Sequence, residues 1–224
     1  MKGFIAFAFL IAGVSANVLP TDIISKDSRF VTDTIVDAID DLSQSIKDAG
    51  FDPLIIKKEV FSYALPVPTI FNAAAFLEDV LSTGISNIVV NHINYALLAS
   101  RLDFNIELPH IHLFAHKAIG EANLFRETVN AEVVGSVDIK NIVVIGSVHV
   151  NIGIISGISI GRVDIDFTLG SIDTNLGVAI QGNNYSAEIN EFLSETIPDV
   201  LTEFKEDIDE LIEIILLDIL NENI

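Results

Sequence analysis

The sequence has 224 residues, no cysteine, and 32 acidic against 12 basic side chains, giving a formal net charge of −20. The lack of cysteine excludes disulfides, thiolate metal sites and cysteine nucleophiles, and so acidic a surface disfavours nucleic-acid phosphates and anionic membrane headgroups. Half of the residues are hydrophobic and the mean hydropathy is +0.52, an excess that either an apolar cavity or a thick dry core would absorb.

The N-terminus reads MKGFIAFAFLIAGVSA. Lys2, the apolar run Phe4 to Val14 and the small residues Val14-Ser15-Ala16 have the layout of a cleaved secretory signal. The run is shorter than the about 20 residues that span a bilayer. A signal peptide over 1–16 and a secreted chain from Asn17 are expected, and loss of Lys2 takes the charge to −21. No linker rich in Pro, Ser or Gly divides residues 17–224, so one domain is expected there.

Phe30 to Ala49 is helical by period, with Val31, Ile35, Ala38, Leu42, Ile46 and Ala49 three or four residues apart and acidic residues between them. Gly50 stands where a left-handed C-cap belongs, and Pro53 prevents continuation. From about Thr69 to Ile180 the period becomes two. Leu102, Phe104, Ile106 and Leu108 alternate with polar residues, and after Pro109 the phase slips so that Ile111 and Leu113 carry it on. Such a slip reads as a bulge in one long strand or a break between two, and Lys140-Asn141 reads as a tight turn between Val129–Ile139 and Ile142–Ile152. One wet and one dry face per strand signify an antiparallel sheet covering something on one side.

Two features of this region resemble chemistry. His110, His112 and His116 share strand parity, and histidines at i and i+2 can share a metal; no third ligand is identifiable, so a solvated strand face is the reading and no metal is expected. Gly157-Ile158-Ser159-Ile160-Gly161 spells G-x-S-x-G, but a nucleophile elbow needs a helix behind the serine and a histidine later in the chain. The last histidine is His149 and strand-like Arg162 to Leu169 follows, so Ser159 is read as a strand residue and no catalytic residue is expected. Asn184-Tyr185-Ser186 is an N-glycosylation sequon in a turn.

Ser186 to Leu220 returns to the helical period, with Pro198 expected to kink it near Thr196. About 34 residues at 1.5 Å each span roughly 50 Å, long enough for a sheet to roll along. Ile208, Leu211, Ile215 and Ile219 fall on the apolar stripe, and Leu211 to Leu217 is apolar nearly all round, so its enclosure is expected. Glu213 and Asp218 interrupt it, so no integral membrane span is expected.

Four stretches carry a resemblance: Phe51-Asp52-Pro53-Leu54; Gly84-Ile85-Ser86 through Val90; Leu102 through Ile111 with its Leu-Pro; and Ile189-Asn190-Glu191-Phe192-Leu193 with Leu216 through Leu220. Together they resemble the takeout and juvenile-hormone-binding proteins of insects and the related mite group 7 allergens, in the tubular lipid-binding superfamily that includes bactericidal/permeability-increasing protein. Takeout and juvenile-hormone-binding proteins usually carry an N-terminal cysteine pair. Its absence here points to the group 7-like branch and away from juvenile hormone itself.

The expected fold is therefore α+β: a long curved antiparallel sheet rolled around a long C-terminal helix, with an amphipathic N-terminal helix. The expected function is a secreted, non-enzymatic, cofactor-free carrier of a hydrophobic small molecule (a lipid, a terpenoid or juvenile-hormone-like molecule, or a pigment) in an apolar tunnel. A surface-active or protein-binding protein without a soluble ligand is the alternative. Parity and bulk select the candidate lining residues Leu54, Phe61, Phe104, Ile106, Ile111 and Leu113 from the sheet region, and Ile35, Phe192 and Phe204 from the helices.

Overall fold

The computed structural model describes residues 28–125, 127–153 and 157–222, so the expected signal peptide and its cleavage site lie outside the described residues. Helix α1 (Ser28–Asp48) forms where the period places it. It buries Ile35 and, deeper still, Ile39, which the stripe read from sequence omits. It ends in a Schellman motif: Gly50 has φ 73°, its N–H donates to the Lys47 carbonyl at 2.9 Å, and the Phe51 N–H donates to the Ile46 carbonyl at 3.0 Å. The Asp52–Pro53 peptide is cis.

Seven strands follow: β1 (Leu54–Ala64), β2 (Phe71–Thr83), β3 (Val89–Ala96), β4 (Arg101–Leu124), β5 (Glu127–Gly153), β6 (Gly157–Ile180) and the short β7 (Asn183–Asn184). They form one antiparallel sheet in the order β1-β2-β4-β5-β6-β7, with β3 paired to β4 beside the first part of that strand. β1 begins well before the period-two signal, because this mostly exposed edge strand carries no buried alternation for the sequence to display.

β4, β5 and β6 are single strands of 24, 27 and 24 residues. Lys140-Asn141 is therefore not a hairpin turn. Asn141 has φ 53° in the middle of β5, opposite Pro109, and the register runs through unchanged from Leu108↔Ile142 to His110↔Lys140. On β6 a Cβ at Gly170 would lie 2.9 Å from the Asn141 Cβ and from the Lys140 carbonyl. Pro109, Asn141 and Gly170 thus mark a crease across three strands. The apolar parity changes at this crease without a register shift. On β6, Val163 and Ile165 are buried before it and Ile172 and Val178 after it.

The C-terminal segment is helical in pieces: α2 (Ser186–Glu191), a π-turn (Phe192–Thr196), α3 (Ile197–Glu203) and α4 (Lys205–Glu222). The kink expected near Thr196 is this π-turn, with Pro198 tolerated in the first turn of α3, where its missing N–H costs nothing. The sheet curls into a half-barrel with α1 and α4 against one half. Their shared core joins Ile35, Ile39, Tyr95, Phe104, Ile106 and Val144 to Ile212, Leu216 and Leu220.

Enclosure of Leu211 to Leu217 is corrected. Ile212 and Leu216 are 7% and 3% exposed, but Leu211, Ile214 and Ile215 are 56%, 57% and 39% exposed. Among the described residues, no helix is long and apolar enough to cross a membrane.

Candidate functional site: an open apolar face

Beyond the crease the sheet has a second apolar face, and the strand register identifies it. Residues directly opposite one another share a face, and pairing links Leu54–Ser82–Leu113–Val137–Thr174 across five strands. Phe61–Ala75–Gly120–Ala131–Ile180 and Tyr63–Ala73–Ala122–Val129 continue it towards the far end, and Ile111–Ile139–Ile172 borders the crease. β5 keeps one parity through these rows, while β4 changes parity at the irregularity between Ala115 and Ala118. The opposite face carries Glu121, Glu132, Asp138 and Asp173.

The Thr174 hydroxyl donates to the Asn190 carbonyl at 3.4 Å, which puts α2 on the apolar face at its β6 side. Asn190 also clamps the edge of β6: its Oδ1 accepts from the Leu176 N–H at 2.9 Å and its Nδ2 donates to the Leu176 carbonyl at 2.8 Å. On the β1 side the face is open. Phe61 is 53% exposed, and Tyr63 and Leu113 are exposed as well.

The floor is built of small residues, and a Cβ placed on Gly120 would meet nothing within 4 Å among the described residues. Leu113 and Ala122 are nine residue steps apart on β4; at about 3.3 Å per step this is a trough of roughly 30 Å, and five strands about 4.8 Å apart make it roughly 20 Å across. Its chemistry is that of a surface for elongated, weakly polar molecules. Dispersion and apolar burial supply affinity; the hydroxyls of Ser82 and Thr174 and, at the β1 edge, the Glu59 carboxylate opposite Leu77 supply polarity.

The nine candidates separate cleanly. Leu54, Phe61, Ile111 and Leu113 fall on the open face. Phe104, Ile106 and Ile35 are buried in the packed core beneath α1 and α4. Phe192 and Phe204 lie on the C-terminal helical segment, both half-exposed. Sequence reasoning missed the small-residue floor of Ala73, Ala75, Ala118, Gly120 and Ala122, because alanine and glycine carry no hydrophobic periodicity. The long Ala- and Gly-rich alternation on β2 and β4 is the signal that could have found it. Ser159 is an exposed residue within β6, paired with Asn151, as the strand reading of G-x-S-x-G expects.

Two of the resembling motifs meet at one point outside the trough. The buried Asp52 carboxylate accepts from the Gly84 N–H at 3.0 Å, the Ser86 N–H at 2.7 Å and the Ser86 hydroxyl at 2.5 Å. Burial by itself pushes this carboxyl's pKa up, but the Ser86 hydroxyl, the two N–H groups and the charge of Lys47 hold it below the ordinary carboxylate value. Gly84 has φ 97°, and a Cβ there would lie 2.0 Å from the His110 carbonyl oxygen, so no other residue fits.

Residues 4–224 match the protein-family model described as haemolymph juvenile hormone binding protein (JHBP). No curated protein sequence matches the chain. Among solved structures, Takeout 1 of Epiphyas postvittana aligns over 88% of this chain and 89% of its own at 14% identity and a TM-score of 0.44. A lipopolysaccharide binding protein aligns over 86% of this chain and 37% of its own at 10% identity and a TM-score of 0.32.

Proposed function

Because the chain belongs to the haemolymph juvenile hormone binding protein family, a family of binding proteins and not of enzymes, we propose that it is a secreted carrier holding an elongated hydrophobic small molecule on the open face of the sheet. The observation that carries this is the empty space above Gly120 in the middle of apolar rows. Leu54, Phe61, Ile111 and Leu113 line the molecule, and Phe192 at the π-turn contributes from the β6 side. Phe104, Ile106 and Ile35 support the sheet from the packed half. Burying about 400 Å² of ligand at ~25 cal/mol/Å² gives roughly 10 kcal/mol before association costs, enough for micromolar affinity or better. Lipids, terpenoids and pigments all suit a trough with so few polar groups. The absence of cysteine supports a place in the cysteine-free, mite group 7-like branch.

The test is denaturing extraction and mass spectrometry of protein purified from its source, with displacement of a neutral apolar fluorophore such as N-phenyl-1-naphthylamine. A co-purifying apolar molecule and saturable fluorophore binding are expected. Gly120→Leu should weaken fluorophore binding by at least about tenfold while leaving melting near wild type, since a leucine there fills the trough and not the core. Absence of both extracted ligand and saturable binding overturns the carrier reading. Unchanged binding in Gly120→Leu moves the ligand off this face.

A second reading has its own observation. Val200, Phe204, Leu211, Ile214 and Ile215 leave an exposed apolar line along α3 and α4, which suits a protein that spreads at an air–water or oil–water interface. Surface tension measured against concentration decides it: an ordinary globular control's curve removes the reading.

A further inference from the structure

The strand register supplies what the sequence lacked for the histidine pair. His112 on β4 stands directly opposite Asp138 on β5, and His110 lies two residues away on the same face. The His110 Nε2 and His112 Nδ1 atoms converge on one carboxylate oxygen, Asp138 Oδ1, at 2.7 and 2.8 Å. The three ligand atoms lie within 4.8 Å of one another. His116 follows Ala115 directly, inside the irregularity in β4 pairing, and is not part of the group.

We propose that His110, His112 and Asp138 form a three-ligand site for one zinc-class divalent transition-metal ion on the outer face of the sheet, with a fourth position open to water. Two imidazoles and a carboxylate suit zinc, nickel or copper and do not suit calcium or magnesium, which take oxygen ligands. Zinc–ligand bonds of about 2.0–2.2 Å in a tetrahedron put neighbouring ligand atoms roughly 3.3 Å apart. The present spacings of 2.7 and 2.8 Å reach that with small rotations of surface side chains. These side chains are half-buried to exposed, so they can turn without disturbing the core.

The surroundings fit a cation. Asp173 is the next residue on the same row, directly opposite Asp138. Lys140, directly opposite His110, is already held by Asp173 at 2.5 Å. Such an ion would bind β4 to β5 beside the crease, behind Leu113 on the apolar face, so it would fasten the sheet where its dry side changes parity.

The experiment uses the full chain stripped with EDTA, titrated with zinc chloride by calorimetry, and separately with cobalt(II) to read the visible bands of a four-coordinate site. One zinc per chain, a cobalt spectrum of tetrahedral intensity and a raised melting temperature with zinc are expected. His112→Ala and His110→Ala should each abolish saturable binding and the cobalt bands, while His116→Ala and His149→Ala should keep both. Calcium in hundredfold excess should not displace the zinc. No saturable zinc binding by wild type, binding that survives His112→Ala and His110→Ala, or displacement by calcium as for a merely acidic surface overturns the proposal. Circular dichroism of the metal-free variants separates loss of ligands from loss of fold.

Discussion

Asp52 shows how much a single side chain carries in this protein. Its carboxylate accepts from the N–H groups of both Gly84 and Ser86, and it ties the start of β1 to the loop between β2 and β3. Asp52→Asn places an amide N–H₂ or a weaker acceptor against those donors, and leaving buried donors unpaired costs about 1–3 kcal/mol. Denaturant unfolding at neutral pH should register that loss.

The pH dependence has a definite sign. A carboxyl whose folded pKa lies below its unfolded one contributes stability that is fully present above the unfolded value and is lost as pH falls through the folded one. Wild type should therefore lose stability on acidification below about pH 4 more steeply than Asp52→Asn. Parallel acid-denaturation curves would exclude the node as a source of acid sensitivity. At Asn184 the side-chain Oδ1 accepts from the Ser186 N–H and hydroxyl at 2.9 and 2.6 Å. A glycan attaches through Nδ2, so this turn and glycosylation are compatible at an exposed site. A mass shift on glycosidase treatment of protein purified from its source, lost in Ser186→Ala, would establish occupancy.

At the scale of an element, α4 differs from the helix expected in two ways. The buried stripe is Ile212, Leu216 and Leu220, a rotation of the face by about one residue from the stripe through Leu211 and Ile215. Ile212→Asp should then unfold the protein or cost several kcal/mol, because it buries an unpaired carboxylate, while Ile215→Asp should melt close to wild type. Equal melting of the two would mean that α4 packs by another face.

The acidic residues of α4 are also not all solvent-facing repulsion. Asp209 Oδ1 accepts from the Phe167 N–H and Glu213 Oε1 from the Ile165 N–H, both at 2.8 Å, and Asn221 Oδ1 accepts from the Ile160 N–H at 3.0 Å. These groups serve an unpaired sheet edge, which the helix covers in place of another strand. Lys205 completes the contact, donating to Asp166, Asp209 and the Phe167 carbonyl. Burial alone would lower the pKa of its ammonium, but the two carboxylates raise it above the ordinary lysine value. Glu213→Ala should cost about 1 kcal/mol through the orphaned Ile165 N–H, and Glu213→Gln, which keeps the acceptor oxygen, should recover most of it. Thermal melting of the pair distinguishes an acceptor role from a charge effect.

Across the whole molecule the crease separates a packed half from an open one. Ile35, Phe104 and Ile106 lie in a core closed by α1 and α4, while Phe61 and Leu113 face a trough that the described residues cover from the β6 side alone. Amide exchange should be slowest in the central strands of the packed half and faster in β1 and β2, where β1 is the sheet edge. A ligand at a hundred times its Kd stabilises the folded state by about 2.7 kcal/mol. Bound fluorophore should therefore slow exchange in β1, β2 and residues 186–203 more than in α1. Protection concentrated on α1 and β3 would relocate the ligand to the packed half.

Much of this was written in local pattern. Helix α1 and its cap at Gly50, the alternation of β4 and β6, and the break near Pro198 were legible because each depends on neighbours three or four residues away, or on one residue's backbone preference. The identity of the apolar faces was legible on each strand singly. What the strands do together was not. Asn141 looked like a hairpin turn, since a residue suited to φ > 0 serves equally well at a turn or at a crease inside a long strand, and only pairing with both neighbours distinguishes them.

The same reason hid the site. Leu54 and Leu113 are joined through Ser82, Gly120 gains open space above it from Ala75 and Ala131 on either side, and Asp138 meets His110 and His112, all by registers between residues far apart in sequence. Composition and period determined an acidic α+β chain with more apolar surface than one helix pair can cover. Tertiary structure decided which part of that surface is core and which is left open, because burial depends on what packs opposite a residue, and the residue's own sequence neighbourhood does not contain that partner.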